Sequence, residues 1–224
     1  LKAAFGISLK LGLNGVSLPL FVLAGVVGLA AGLYALQSKA ERPALYWGLL
    51  LVMQGGLMGV FASMDVFFFY FFHEFALIPT FVLTLFWGGE GRRPAAMQMA
   101  IYLTAGAMAS LAGILIAIDV ARVDYGSATF ENVAHGLQNA PHIPAATGAL
   151  VLFGLGTLAS LFPFHSWAAP GYSAAPTPVS MLHAGALKKF GLYGIILLGL
   201  SSLDVTGGSL GTWFLWFALA NVFL

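Results

Sequence analysis

A single carboxylate interrupts a strongly aromatic stretch of this chain. Residues 67–81 read FFFYFFHEFALIPTF, with His73 and Glu74 at the centre. At about 1.5 Å per helical residue, Glu74 lies about 13 Å into the predicted helix, near the middle of a hydrocarbon layer about 30 Å thick. A charge at that depth costs about 2.5–3.5 kcal/mol unless it faces other helices or water. A carboxyl group held there can take up and release protons near neutral pH.

Two neighbours bear on the role of Glu74. Pro79 has no N–H, so the carbonyl of Phe75 loses its helical partner and leaves a polar site beside the carboxylate. His73 points away from Glu74 on a helical wheel, and we expect it to matter less. Two interpretations stay open: Glu74 belongs to an ion path, as intramembrane carboxylates usually do, or it pairs with a neighbouring helix to fix the packing.

A second group of titratable side chains lies in PVSMLHAGALKKFGLYG, residues 178–194. Lys188 and Lys189 fall near the middle of an apolar segment, too deep for either side chain to reach an interface comfortably. Because adjacent helical residues are about 100° apart, the two lysines point in different directions. A desolvated lysine exchanges its proton readily, and His183 titrates near neutral pH. The alternative is a structural ion pair between one lysine and Glu74.

The third candidate is FPFHSWAAPGYSAAPTPVS, residues 162–180, which contains four prolines. Proline interrupts an α-helix, yet the hydrophobic signal stays high on both sides. This pattern predicts a broken helix, whose irregular backbone is tolerated only within protein or a water-filled cavity. His165 lies at the predicted break, where freed backbone groups can order water or bind ions. The alternative is an ordinary loop outside the membrane.

The composition places these groups in a membrane protein. Of the 224 residues, 60% are hydrophobic and 8% are charged, whereas soluble domains carry about 25% charged residues. The net charge of +1 gives no indication of a nucleic-acid partner, and the absence of cysteine excludes disulfides and thiolate-held clusters. The sequence contains no P-loop, dinucleotide-binding fingerprint or metal-ligand cluster.

Apolar runs of about 20 residues, the length that crosses a bilayer, predict an all-α polytopic membrane protein without a soluble domain. The polar stretch 119–143 is predicted to connect two spans. We expect the chain to be a segment of a longer polytopic protein, because its last apolar run is truncated. The predicted spans are about 16–37, 44–63, 66–87, 95–118, 144–162, 177–202 and 209–224.

Three of these stretches together resemble a known family. They are FFHEFALIPTFVLTLFWGGEGR, FPFHSW and APTPVSMLHAGALKKFGLYG. They are similar to the antiporter-like membrane subunits of respiratory complex I, above all to the M subunit, or chain 4, of NADH-quinone oxidoreductase. The resemblance covers essentially the whole chain except 119–143. It implies an antiporter-like helix bundle with a broken helix, in which this chain contains the first inverted repeat of a longer subunit.

The resemblance also implies roles for individual residues. Glu74 matches a glutamate, and Lys189 rather than Lys188 matches a lysine, on a hydrated mid-membrane axis that moves protons. One position departs from the family, because Leu158 stands where a lysine usually pairs with the glutamate. Either another group such as Lys188 or His183 serves Glu74, or this half-channel works differently, or it pumps weakly.

The leading hypothesis is therefore a proton-translocating membrane-arm subunit of a complex I-like NADH-quinone oxidoreductase. Its proton path would use Glu74, Lys189, Lys188, His183 and His165. The chain would hold no cofactor and perform no redox chemistry, since other subunits would use NADH and quinone. The expected partners are the lipid bilayer and other membrane-arm subunits, in a bacterial cytoplasmic (inner) membrane rather than an organellar one.

Three alternatives remain from the sequence. The chain could be a subunit of a multi-subunit cation/proton antiporter or of a membrane-bound hydrogenase, which share these helices and motifs. It could also be a structural scaffold with a degenerate proton path, which the apolar residue at position 158 makes conceivable.

Overall fold

Helices account for almost all of the described chain. The computed structural model describes residues 6–139, 145–199 and 209–223. Within these ranges the backbone forms helices and two isolated β-bridges but no strand, so the predicted all-α class is confirmed. The α-helices are α1 (Ser17–Ala35), α2 (Pro43–Ala62), α3 (Val66–Trp87), α4 (Arg92–Tyr125), α5 (Phe130–Asn139), α6 (Ala145–Leu158), α7 (Ala168–Ala174), α8 (Thr177–Leu182), α9 (Lys189–Gly194) and α10 (Ser209–Phe223), with π-helical segments at His183–Leu187 and Ile195–Gly199.

The outer surface of the bundle is apolar. Five helical segments in the described ranges are long and apolar enough to cross a membrane, and they are α1, α2, α3, Arg92–Ala121 of α4, and Thr177–Leu198. A row on α1 illustrates the surface, since its side chains recur at helical spacing and are 50–66% exposed. So continuous an apolar face is stable in lipid rather than in water. The row consists of Leu18, Val22, Val26, Leu29 and Leu33.

The predicted polar connection over 119–143 contains helical structure over most of its length. α4 continues to Tyr125, and α5 follows after a short turn. Phe130 and Val133 are buried on one face of α5, which packs against α4. Although the segment is polar on average, one apolar face at helical spacing is enough to hold a helix against a neighbour. Residues 140–143 lie outside the described ranges.

Asp65 joins three segments at the start of α3. Its buried carboxylate caps the helix by accepting hydrogen bonds from the backbone N–H groups of Phe67 and Phe68, at 3.0 and 3.3 Å. The other carboxylate oxygen accepts from the Ser8 N–H at 3.0 Å, and the Asp65 backbone forms a β-bridge with Thr129. Burial raises the pKa of Asp65, and the three N–H donors oppose that shift. The entry of α3 into the bundle is therefore fixed by contacts distant in sequence.

The predicted broken helix is confirmed. α6 ends at Leu158, and helical structure resumes at Ala168 after a run of turns. The interruption begins at Ser160, whose φ of 55° is incompatible with a continuing right-handed helix. Trp167 is completely buried, and its indole N–H donates to the carbonyl of Thr157 at 3.2 Å. Trp167 therefore anchors the end of the break in the bundle, while Pro163 and Ser166 of the break are exposed.

α4 and α6 approach so closely that their backbones touch. The contact forms around Gly154 of α6, which faces Gly106 and Ser110 of α4. A Cβ at position 154 would lie 2.5 Å from the Gly106 carbonyl oxygen and closer still to the Ser110 nitrogen. Small residues permit such approaches between helices in membranes, and α6 is the helix that leads into the break.

We expect Gly154→Ala to destabilise the bundle by about 1–3 kcal/mol, because α4 and α6 must separate to admit a methyl group. Gly156→Ala is the matched control on the same helix, since the nearest atom to its added Cβ would be a Leu161 methyl carbon at 3.5 Å. That variant should be neutral or stabilising by up to about 1 kcal/mol. The free energy of unfolding of the full-length protein in detergent micelles measures both. Equal effects from the two substitutions would contradict this packing.

Candidate functional site

α3 places Glu74 deep in its span, at the edge of the bundle. The residue lies about 12 Å from the start of the helix, by the helical rise from Val66. Its side chain is 31% exposed and lines a cavity of about 240 Å³ between α3 and α4. Apart from Thr104 and Glu74 itself, the lining residues are apolar. The volume is enough for several water molecules at about 30 Å³ each.

His73 contacts Glu74, contrary to the expectation that it points away. The imidazole Nδ1 lies 3.5 Å from Glu74 Oε1. The two Cα–Cβ bonds diverge around the helix, but both side chains are long enough to meet along its surface. The His73 side chain is buried in the bundle, and its ring stacks on Phe190 with the centroids 3.8 Å apart. His73 therefore lies between the Glu74 cavity and α9.

The two lysines lie beside a π-helical turn. The Lys188 N–H donates to the carbonyl of His183, five residues back, at 2.9 Å. An α-helix would pair it with the carbonyl of Ala184, four residues back. That carbonyl instead accepts a hydrogen bond from the Lys189 ammonium at 2.8 Å. The widened turn thus supplies a backbone ligand for the ammonium, and π-turns of this kind recur at functional sites.

His183 is held in an aromatic box at the start of the same π segment. It is 3% exposed. Its ring stacks on Trp167 at 5.4 Å and meets Tyr172 edge-on at 5.2 Å. Trp167 comes from the helix break and Tyr172 from α7, which follows it, so the break and α7 position this histidine. His183 also lies within electrostatic range of His73 and Lys188.

His165 lies in the break, apart from this box. Its ring contact is with Phe162, at 5.7 Å between centroids. Its Nδ1 is buried and has no hydrogen-bond partner within the described part of the chain. The next residue, Ser166, donates to the Tyr102 hydroxyl at 3.1 Å. The contacts therefore associate His165 with α4 and the break rather than with His183.

Several of the predicted site residues come together, and one predicted pair does not. Glu74 contacts His73, His73 lies in electrostatic range of His183, and Lys188 and Lys189 follow His183 on the same segment. Within the described ranges, no salt bridge joins Glu74 to either lysine, so the structural ion pair considered from the sequence is absent there.

Position 158 offers no base in place of the lysine that the resemblance implies. Leu158 is 3% exposed and forms part of the hydrophobic core at the end of α6. The site of this chain therefore depends on titratable groups carried by α3 and by the segment from Thr177 to Leu198.

Two tyrosines belong to the site although the sequence did not single them out. The Tyr70 phenol lies beside the Glu74 carboxylate, and its position four residues earlier on one helical face was a usable signal. Tyr172 packs on His183, and its buried hydroxyl has no hydrogen-bond partner among the described residues. Burial raises the pKa of Tyr172 to about 12, so it remains a protonated donor at neutral pH. No local sequence signal connects Tyr172 to His183.

The described residues contain no group of three or more His, Cys, Asp or Glu side chains that could hold a metal ion. Titratable groups without a metal can still bind and release protons, and this is the chemistry that the arrangement supports.

Comparisons with known proteins find the same relatives as the motifs. A profile of the family described as NADH:quinone oxidoreductase/Mrp antiporter, transmembrane, matches residues 63–224. NAD(P)H-quinone oxidoreductase chain 4 1 of Picosynechococcus is 37% identical over 202 residues, which cover 88% of this chain and 36% of the relative. F(420)H(2) dehydrogenase subunit M of Methanosarcina mazei is 35% identical over 207 residues, covering 90% of this chain and 41% of the relative.

Solved structures agree with these relatives. A chain of the archaeal membrane-bound sulfane sulfur reductase superposes with a TM-score of 0.74 at 29% identity, covering 91% of this chain and 33% of that one. A chain of respiratory complex I from Thermus thermophilus gives 0.70 at 27% identity, covering 86% and 40%. A chain of the Mrp complex from Dietzia gives 0.73 at 22% identity, covering 93% and 39%, which shows the shared fold alone.

These matches identify the protein family of the chain. It spans 36% and 41% of the length of the two curated relatives quoted above. The profile matches well over half of the chain, and the resemblance predicted from its motifs is confirmed. The chain belongs to the NADH:quinone oxidoreductase/Mrp antiporter family of multi-pass transmembrane proteins.

Proposed function

We propose that the full-length protein is a proton-translocating membrane-arm subunit of an NADH-quinone oxidoreductase. It sits in a bacterial cytoplasmic membrane among other membrane-arm subunits. Quinone reduction in those other subunits provides the energy. NADH and quinone bind elsewhere in the complex, and this chain contributes titratable side chains rather than a cofactor.

One observation carries the proposal: titratable side chains lie at mid-depth on two separate spans of an apolar bundle, with His73 and His183 in electrostatic range of each other. Ionisable groups in such a position are expensive and mark ion paths. Glu74 lies beside a cavity on one side, and Lys189 binds a freed backbone carbonyl on the other. His73 and His183 lie between them, both nearly fully buried.

The residues take different parts in this path. Glu74 exchanges protons with the cavity between α3 and α4. His183 carries protons onward, the charge of Lys188 influences when His183 can accept one, and Lys189 is the central group whose charge alternates. His165, at the helix break, controls access from one side of the membrane. The break itself supplies irregular backbone within the bundle, which membrane proteins tolerate where it lines a path.

The second candidate is a subunit of a multi-subunit cation/proton antiporter. The family name includes Mrp antiporters, and the fold of the Dietzia Mrp chain supports this candidate equally well. Both candidates use proton exchange by the same residues. They differ in whether quinone reduction drives the movement.

Membrane vesicles that contain the full-length protein in its complex distinguish the two. We expect NADH and a quinone to drive acidification of the vesicle lumen, and a quinone-site inhibitor to stop it. Lumen acidification without any quinone chemistry, driven by an outward sodium gradient, would favour the antiporter instead. A complex that reduces quinone but moves no protons would contradict both.

A further inference from the structure

The contact between His73 and Glu74 joins two polar atoms that lack any other partner. His73 Nδ1 and Glu74 Oε1 are both buried, and neither has a hydrogen-bond partner among the described residues. They lie 3.5 Å apart, about 0.5 Å longer than a typical N–H···O hydrogen bond. Unpartnered buried polar atoms are costly. A small closure of this gap would satisfy both atoms at once, provided that a proton lies between them.

The His73 ring is held in the orientation that this contact requires. Phe190 stacks on its face, with a centroid separation of 3.8 Å and an interplanar angle of 21°. Phe69 stacks on Phe190 in turn, at 4.3 Å. Stacking covers the ring face and leaves the nitrogen atoms at its edge, so the imidazole presents Nδ1 to Glu74 without needing to rotate.

The number of protons that can lie between His73 Nδ1 and Glu74 Oε1 follows from the chemistry of an imidazole and a carboxylate. A neutral imidazole protonated at Nε2 presents a lone pair at Nδ1, and an ionised carboxylate presents only lone pairs. With no proton between them, the two atoms repel each other. With Nε2 protonated and one further proton at the contact, the pair is either an imidazolium and a carboxylate or a neutral imidazole and a carboxylic acid. With Nε2 unprotonated, a proton on Nδ1 makes a neutral imidazole that donates to the carboxylate. A second proton would leave both atoms as donors facing each other.

We propose that His73 and Glu74 share one proton across the Nδ1–Oε1 contact, and that His73 is the relay group that moves protons from Glu74 into the bundle. This role deepens the proposed function and rests on it. In the relay step, the O–H bond of the Glu74 carboxyl breaks and an N–H bond forms at Nδ1. The imidazolium then passes its Nε2 proton to an unprotonated group further into the bundle, of which His183 is the next titratable one. The ring is left as the neutral Nδ1–H tautomer, and it can accept another proton from Glu74 once the Nδ1 proton has moved to Nε2.

The surroundings give the relay a direction. On its own helix, His73 faces Glu74, and the Tyr70 phenol adjoins the same carboxylate. From the π segment, His183 is the next titratable group in electrostatic range, with Lys188 behind it. A positive charge on His73 is therefore attracted by the carboxylate and repelled by the groups ahead. Each proton can advance only after those groups have released theirs.

Nuclear magnetic resonance tests the shared proton independently of any pumping activity. The sample is the full-length protein in lipid nanodiscs, labelled with ¹⁵N in histidine and ¹³C in the glutamate carboxyl groups. Spectra of His73→Phe and Glu74→Gln assign the two signals. We expect the signals of both groups to change over the same pH range, as coupled sites do. A Glu74 signal that titrates while the His73 signal stays constant would overturn the proposal.

Proton movement in vesicles tests the relay. His73→Phe keeps an aromatic ring on Phe190 but removes both nitrogen atoms, and we expect a loss of at least about 100-fold, as for removal of a general acid–base group. His135→Phe is the matched control, because it makes the same substitution at an exposed histidine of α5, outside the His73–Glu74 contact. It should move protons as the wild type does.

The outcomes separate the relay from the proposed function. If His73→Phe moves protons as the wild type does while Glu74→Gln does not, the relay is wrong and the proposed function stands. If Glu74→Gln also moves protons normally, the proposed function fails, and the NMR experiment still decides whether the two residues share a proton.

Discussion

Replacing Glu74 with glutamine lowers proton movement coupled to quinone reduction by at least about 100-fold, the scale of losing a positioned acid–base group. Glutamine keeps the size and polarity of the side chain but cannot release a proton. The residue is part of neither a helix cap nor a salt bridge to another helix within the described chain. Assembly should therefore be preserved. Fluorescence quenching by a pH-sensitive dye in vesicles reports proton movement, and native gels report assembly.

Glu74→Asp is the control for this prediction. It retains a carboxyl group but shortens the side chain by one methylene, which lengthens the distance to His73. We expect partial activity, clearly above that of Glu74→Gln. If Glu74→Gln instead fails to assemble while Glu74→Asp is normal, the carboxylate is a packing element and not a proton carrier.

Lys189→Met has the second large effect, and Lys188→Met is its matched control one residue away. Methionine replaces either side chain with an apolar one of similar length. The Lys189 ammonium binds the Ala184 carbonyl that the π turn frees, so we expect its loss to reduce proton movement at least about 100-fold. Lys188 is placed to repel protons on His183 and Lys189, and Lys188→Met should retain a large fraction of the activity.

The same vesicles measure both lysine variants, with the rate of quinone reduction recorded in parallel. The assignment is reversed if Lys188→Met is the inactive variant and Lys189→Met is active. If replacing both lysines leaves the number of protons moved per electron unchanged, the chain is a scaffold without a proton path.

Most of the fold could be predicted from the sequence, because lipid imposes a simple rule on spanning helices. Apolar runs of sufficient length gave helices that overlap the structural ones, and the prolines of 162–180 marked the helix break. The exception is α5. The segment is polar on average, so its composition did not indicate the apolar face that packs against α4. The position at which α6 ends also escaped prediction, since it depends on the backbone of Ser160 and on the packing of Trp167 rather than on hydrophobicity.

The depth of the candidate site in the membrane could be predicted from the sequence, but the contacts among its residues could not. Counting residues along a span put Glu74 and Lys189 near the middle without any knowledge of the partners. A helical wheel separates His73 from Glu74 because it records only the direction of each Cα–Cβ bond and ignores side-chain length. The aromatic box around His183 joins Trp167 of the break and Tyr172 of α7 to a residue of the π segment, and no spacing rule relates them.

We expect water to reach the titratable groups from within the bundle, and cysteine labelling measures that access. This region has no native cysteine. Thr104 is exposed and lines the Glu74 cavity, whereas Ile101, one turn earlier on α4, is 65% exposed on the apolar surface outside that lining. Thiols react as thiolates, which require a polar surrounding. In the full-length protein in nanodiscs, with any cysteines elsewhere replaced, a small water-soluble methanethiosulfonate should label Thr104→Cys at least about 10-fold faster than Ile101→Cys. Equal rates, or no labelling of Thr104→Cys, would contradict a hydrated path at Glu74.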